Sequence, residues 1–152
     1  MKWITRERPK IDRVACPWLI SRFIDGQAEF LFVPPSEVTA KATELGAIPF
    51  DVEGVDLSHV GPLCTFDAFL DRYELTDPAL AEIAMMVRGA DTAKLDISPQ
   101  APGLLAVSLG LSFNHSDDHE QLRDGFVVYD ALYSWCRHVR DETHTWNPQR
   151  AP

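Results

Sequence analysis

The first third of the chain alternates short strand-like runs with amphipathic helical segments, and this alternation limits the fold more than any other feature. Residues 2–7 alternate in polarity, carry Trp3, Ile4 and Thr5, and end ahead of Pro9. Residues 12–25 place Val14, Trp18, Leu19, Arg22 and Phe23 at helical spacing and stop at Gly26. Residues 28–33 form a second β-prone run, closed by Pro34 and Pro35. Ser36 and Thr39 offer caps for a helix through Leu45, which Gly46 ends, and residues 47–52 read as a third strand. Strand, helix, strand, helix, strand predicts a small, mostly parallel three-stranded sheet with crossover helices.

From Thr65 the period changes to that of helices. Phe66, Phe69, Leu70 and Tyr73 share one face, and Asp77-Pro78 opens a helix that stops near Gly89. An apolar helix over 101–113 and a long one over 117–140 complete an all-helical second half. The expected class is therefore α+β, as one domain over 1–140 with a polar tail over 141–152. A chain of 152 residues with 45% hydrophobic and 24% charged residues has the composition of a globular domain, which excludes disorder and coiled coil. No apolar run approaches the roughly 20 residues of a membrane helix, so no membrane partner is expected.

Fourteen Lys and Arg against 23 Asp and Glu leave a net charge of −9, which disfavours nucleic acid. The one basic cluster is Lys2, Arg6, Arg8, Lys10 and Arg13. Three widely spaced cysteines with no CxxC indicate a reducing compartment, and the N-terminus has no apolar signal-peptide core. The expected location is cytoplasmic.

Two regions carry candidate chemistry. In Asn114-His115-Ser116-Asp117-Asp118-His119-Glu120, a helical reading puts His115, Asp118 and His119 on one stripe with Leu122, Phe126 and Tyr129. Imidazoles at i and i+4 with a carboxylate between them suit one metal ion. Asp117 followed by Glu120 is also a helix N-terminal pattern, which would leave His115 ahead of the helix. The other region is the Gly-containing loop after the third strand. Asp51 and His59 lie there, beyond a strand's carboxyl end, where open parallel sheets gather ligands. Asp91 follows Arg88-Gly89-Ala90 at a helix end. Together His59, Asp91, His115, Asp118 and His119 are the candidate ligands for one divalent ion, Zn, Fe or Mn. Arg13, Arg22 and Arg88 are candidate anion-binding residues for a small oxyanion or other small molecule. Cys16 ahead of Pro17 reads as a helix N-cap and a possible reactive thiol, against the alternative of a buried packing residue. Trp135 falls off the core stripe of the last helix and suits a partner contact, so a homo-oligomer is possible. No GxSxG, HExxH or phosphate loop occurs, which leaves a metal-dependent enzyme and a non-catalytic sensor both open.

Several segments carry a family resemblance. Lys2-Trp3-Ile4, Asp12-Arg13-Val14-Ala15-Cys16-Pro17-Trp18-Leu19-Ile20, Arg22-Phe23-Ile24-Asp25, Ile48-Pro49-Phe50-Asp51, Arg88-Gly89-Ala90-Asp91 and Tyr129-Asp130-Ala131-Leu132-Tyr133-Ser134-Trp135 resemble the C-terminal domain of the chromate-resistance ChrB family. The resemblance extends to about Arg140 and implies a link to chromate or oxyanion stress. Regulator members carry a further N-terminal region, so the expectation is no nucleic-acid binding by this chain alone. The family supplies no catalytic residues to carry over.

Overall fold

A computed structural model describes residues 1–144 and 150–152. Three strands, β1 (Lys2–Arg6), β2 (Glu29–Val33) and β3 (Ile48–Pro49), form one sheet in the order β2-β1-β3 with both pairings parallel. The crossovers are α1 (Asp12–Leu19) and α2 (Val38–Leu45). Four helices follow: α3 (Thr65–Arg72), α4 (Pro78–Asp91), α5 (Ala101–Asn114) and α6 (Asp118–Ser134). The chain is thus α+β with a helical C-terminal half.

Alternation along β1 divides the core. Trp3 points to the larger cluster, where its ring meets Phe69 and Tyr73 at centroid distances of 5.8 and 6.4 Å. Ile4 points to the opposite face and joins Val38, Ala42 and Ala47 beneath α2. α1 is the hub of the larger cluster. All of its residues except Arg13 are buried, and Trp18 packs edge-on against Phe23 and Tyr133 and beside Tyr129. α6 lies so close to α1 that a Cβ on Gly125 would stand 2.5 Å from Val14 Cγ1. The same device joins α4 and α5, where a Cβ on Gly89 would meet Ala101 Cβ at 2.7 Å. This is why α4 runs through Gly89 to Asp91 instead of stopping there.

Other boundaries differ from the sequence reading for local reasons. The helix expected over 12–25 ends its α-helical part at Leu19 and continues as a π-turn to Ile24, sealed by Asp25 N–H donating to the Ile20 carbonyl at 2.7 Å. The third strand is two residues long. Phe50 N–H still donates to the Ile4 carbonyl, but Asp51 at φ 50° turns the chain out of the sheet. The last helix is α-helical to Ser134 and then makes a π-turn over Trp135–Val139. Trp135 is half-buried, with the Arg140 guanidinium over its ring. Of the expected tail over 141–152, residues 145–149 lie outside the described residues. Among the described residues no helix is long and apolar enough to cross a membrane.

Candidate metal centre

The carboxyl ends of β1 and β3 are adjacent in the sheet, and the segments leaving them converge. Asp12 is the first residue of α1, six residues past β1; Asp51 is two residues past β3. Both junctions carry a positive φ: Ile11 at φ 43° with ψ −98°, and Asp51 at φ 50°. A β-branched residue rarely adopts that conformation, and such strain concentrates at functional sites. The loop after β3 brings His59 back over the sheet edge, and the last turn of α4 supplies Asp91.

Three carboxylates meet one imidazole nitrogen. His59 Nε2 is 3.0 Å from Asp91 Oδ2, 3.4 Å from Asp12 Oδ2 and 3.5 Å from Asp51 Oδ1. Asp12, His59 and Asp91 each offer a ligand atom, all within 4.8 Å of one another. An Nε2–H can serve one acceptor well and not three. By contrast, donors at about 2.1 Å from a common ion stand about 3.0–3.4 Å apart along the edges of an octahedron or tetrahedron. The Nε2–oxygen distances to Asp91 and Asp12 fall in that range.

Asp12 and Asp51 are anchored from behind. Asp12 is 1% exposed and accepts the N–H groups of Thr65 (2.7 Å) and Phe66 (3.2 Å), the first two residues of α3. It serves as an external cap for that helix, and its orientation follows from satisfying two buried donors. Asp51 accepts from Thr65 Oγ1 at 2.9 Å and pairs with Arg6 (2.9 Å) and Arg13 (3.3 Å). Arg13 also donates to the carbonyls of Arg6 and Glu7. His59 is the exposed member, at 41%. It borders a cavity of about 360 Å³ lined also by Arg6, Asp51, Val52, Glu53, Gly54 and Ser58.

The electrostatics follow from crowding acids away from water. Burial pushes the Asp91 carboxyl up to about 7, with repulsion from Asp12 and Asp51 adding and His59 opposing. Burial and Asp12 also raise Asp51, against the pull of Arg6, Thr65 and Arg13. The same carboxylates, Asp12 first, raise the His59 imidazole to about 9. Carboxylates crowded in this way call for a cation, and a proton on His59 fills that place when no other cation does.

Of the remaining candidates, Arg13 and Cys16 adjoin this group, Cys16 through its thiol, which donates to Asp12 Oδ1 at 3.7 Å, and the others lie apart from it. Asp117 is the N-cap of α6, accepting from the N–H groups of His119 and Glu120, so His115 precedes the helix in extended backbone and the i, i+4 imidazole pair does not form on it. Both His115 ring nitrogens are engaged, Nδ1 with the Leu111 carbonyl and Nε2 with Asp124, each at 2.8 Å. Asp118 accepts from Arg8 N–H at 3.2 Å, and His119 lies edge-on to Phe32. Among the candidate anion-binding residues, Arg22 makes a two-pronged contact with Asp130 (3.0 and 2.8 Å) and Arg88 one with Asp67 (3.0 and 2.6 Å). Only Arg13 stands beside the centre. Cys16 is inside α1, not at its cap, because the helix begins at Asp12 and carries Pro17 in its interior. Its thiol is fully buried, and burial with Asp12 nearby pushes its pKa well up. Cys16 fits the buried packing alternative and not that of an activated thiol.

Asp12 and Thr65 are the site residues that the sequence reading did not single out. A signal for Asp12 was present: it follows the carboxyl end of the central strand, six residues past β1, as Asp51 follows that of β3.

The fold and centre define an α+β domain with a histidine–carboxylate cluster at the carboxyl ends of a small parallel sheet. The family model for the ChrB C-terminal domain matches residues 3–136, and the chain belongs to that family. It is similar to Protein ChrB of Cupriavidus metallidurans, with 32% identity over 134 residues, which is 88% of this chain and 40% of that protein. The chain thus spans less than half the length of that curated relative. No solved structure matches the chain.

Proposed function

We propose that Asp12, His59 and Asp91 hold one divalent ion, Zn, Fe or Mn, in a protein linked through its family to chromate resistance. The observation that carries this reading is the convergence of three carboxylates, two of them buried, on His59 Nε2 at 3.0–3.5 Å. One imidazole and two carboxylates make a set suited to these metals and not to a thiophilic ion. Three protein ligands leave positions open, as catalytic rather than structural sites do, and the cavity bordered by His59 and Arg6 gives them access to solvent. In that setting the ion binds a small oxyanion or a water molecule and polarises it, with Arg6 and Arg13 tempering the negative charge of Asp51.

Isothermal titration of metal-free protein with Mn²⁺, Zn²⁺ and, anaerobically, Fe²⁺ tests the reading. One site per chain is expected for the wild type, and none for His59→Ala, with the fold intact by circular dichroism. Binding that survives His59→Ala and is lost in His115→Ala/His119→Ala would overturn it.

The family link also supports a second reading, a non-catalytic oxyanion sensor. Its cationic element in this structure is Arg6, which lines the cavity, with Arg13 beside it on the same Asp51, whereas Arg22 and Arg88 pair with Asp130 and Asp67 and do not line it. Calorimetry with chromate, sulfate and molybdate on metal-free protein separates the two: heat without metal supports the sensor, and heat only after metal loading supports the metal centre.

A further inference from the structure

Helix α5 is inverted in polarity. Its buried positions are Ala101, Leu104, Ser108 and Ser112, two of them serines, while Gly103, Ala106, Val107, Leu109, Gly110 and Phe113 face solvent. Phe113 is 89% exposed, Leu109 46% and Val107 45%. An isolated helix in water would turn the other way. The segment is also free of charge: no Asp, Glu, Lys or Arg occurs from residue 97 to residue 116, in a chain of net charge −9.

The glycines give an independent indication. Elsewhere, glycine inside a helix marks a close crossing: Gly89 admits Ala101, and Gly125 admits Val14. Gly103 and Gly110 also lie inside a helix, at a cost of about 1 kcal/mol each relative to alanine. Yet a Cβ on either would meet nothing within 4 Å. Nothing in the chain's own packing uses the space they leave.

From these observations we infer that the outward face of α5 is the contact between two copies of this chain, packed antiparallel about a two-fold axis near Ser108. The face is complementary to itself in that arrangement alone. Phe113 of one copy meets the gap over Gly103 of the other and Ala106 meets Gly110, each pair equally spaced about residue 108, while Val107 and Leu109, on opposite edges of the face, each meet their own counterpart. An isologous contact requires such pairing of knob with hole on a single surface. Charge selects the occupant as well. Two copies of a strongly acidic chain repel wherever acids meet acids, and this uncharged face is where they do not; a basic partner would find no carboxylate on it to pair with. A 14-residue helix is about 21 Å long. Two such faces make a contact at or below the small end of the range for stable interfaces, so dissociation in the micromolar range is expected. The inference is independent of the metal centre.

Sedimentation velocity of the chain from about 1 to about 200 µM is the test. The expected result is a dimer of twice 17.1 kDa that dissociates on dilution. Phe113→Glu should shift dissociation at least tenfold toward monomer, and so should Gly103→Lys, each with an unchanged circular dichroism spectrum. The two variants mixed should recover a heterodimer, because the lysine introduced in one copy then meets the glutamate introduced in the other, while the second Phe113–Gly103 pair stays native. A wild type that is monomeric at the highest concentration, or a dimer that both substitutions leave intact, would overturn the proposal. Monomerisation by both without recovery on mixing would overturn the antiparallel register. Should a substitution unfold the chain, Gly110→Gln gives the same readout from the centre of the face.

Discussion

Replacing Asp91 by Asn should stabilise the metal-free protein and abolish its response to metal. The carboxyl is held at about 7 against 3.8 when unperturbed, so between those values the folded chain keeps a proton that the unfolded chain has lost. Stability therefore falls as pH rises from about 4 to about 7 and stays low above that. At 1.4 kcal/mol per unit the full penalty at pH 8 is on the order of 4 kcal/mol. Asparagine removes the charge and keeps an acceptor at the same place, but it gives up the 3.0 Å contact with His59. A net gain of about 1–3 kcal/mol at pH 8 remains, or roughly 3–10 °C in Tm for a domain of this size. Thermal denaturation after exhaustive chelation, at pH 4 and pH 8, measures it. The gain should largely vanish at pH 4, where Asp91 is protonated in the folded chain and the unfolded chain has lost only about half of that proton. With Mn²⁺ at a hundred times its dissociation constant, the wild type should gain about 2.7 kcal/mol and the variant nothing. A variant that is less stable than wild type at pH 8, or a gain of equal size at both pH values, would refute the reasoning.

Other outcomes follow from the same geometry. Asp12→Ala strands the N–H groups of Thr65 and Phe66 at the start of α3 and should cost about 2–5 kcal/mol by chemical denaturation, whereas Asp12→Asn, which keeps one acceptor oxygen, should cost clearly less. Gly125→Ala drives a methyl against Val14, so overpacking of about 1–3 kcal/mol should exceed the helix-propensity gain of about 1 kcal/mol and lower the denaturation midpoint. Apparent metal affinity should rise about tenfold per pH unit from pH 7 toward 9, because the ion must displace the His59 proton, whose pKa is raised to about 9, and more steeply below pH 7, where Asp91 also holds a proton; titrations in buffers of differing ionisation enthalpy count those protons. By NMR, the imidazole of His115 should titrate above the ordinary histidine value, through the Leu111 carbonyl and Asp124, and Asp124→Asn should bring it down.

Much of the architecture was legible in the sequence because proline and glycine punctuate it. Pro9, Gly26, Pro34-Pro35 and Gly46 bracket the sheet's strands and crossovers, and Pro78 opens α4. What was illegible depends on contacts distant in sequence. Gly89 reads as a helix stop until Ala101 is seen beside it, and Asp51 reads as a strand end until its left-handed backbone turns the chain away. At the site, local spacing pointed to His115 and His119, yet Asp117 starts α6 after His115 and separates them from a shared helical face. His59 and Asp91 were named from their places after a strand and at a helix end. Asp12 lies between Lys10 and Arg13 of the basic cluster and opens a helical segment, and the buried donors it satisfies are seen only when α3, starting 53 residues later, brings Thr65 onto it.

Anomalous scattering from crystals grown with Mn²⁺ or Zn²⁺ and collected above and below the metal edge tests the central claim most directly. The account predicts one strong peak per chain, about 2.0–2.3 Å from His59 Nε2 and from carboxylate oxygens of Asp12 and Asp91. A peak between His115 and His119, or none near His59 at saturating metal, would contradict it.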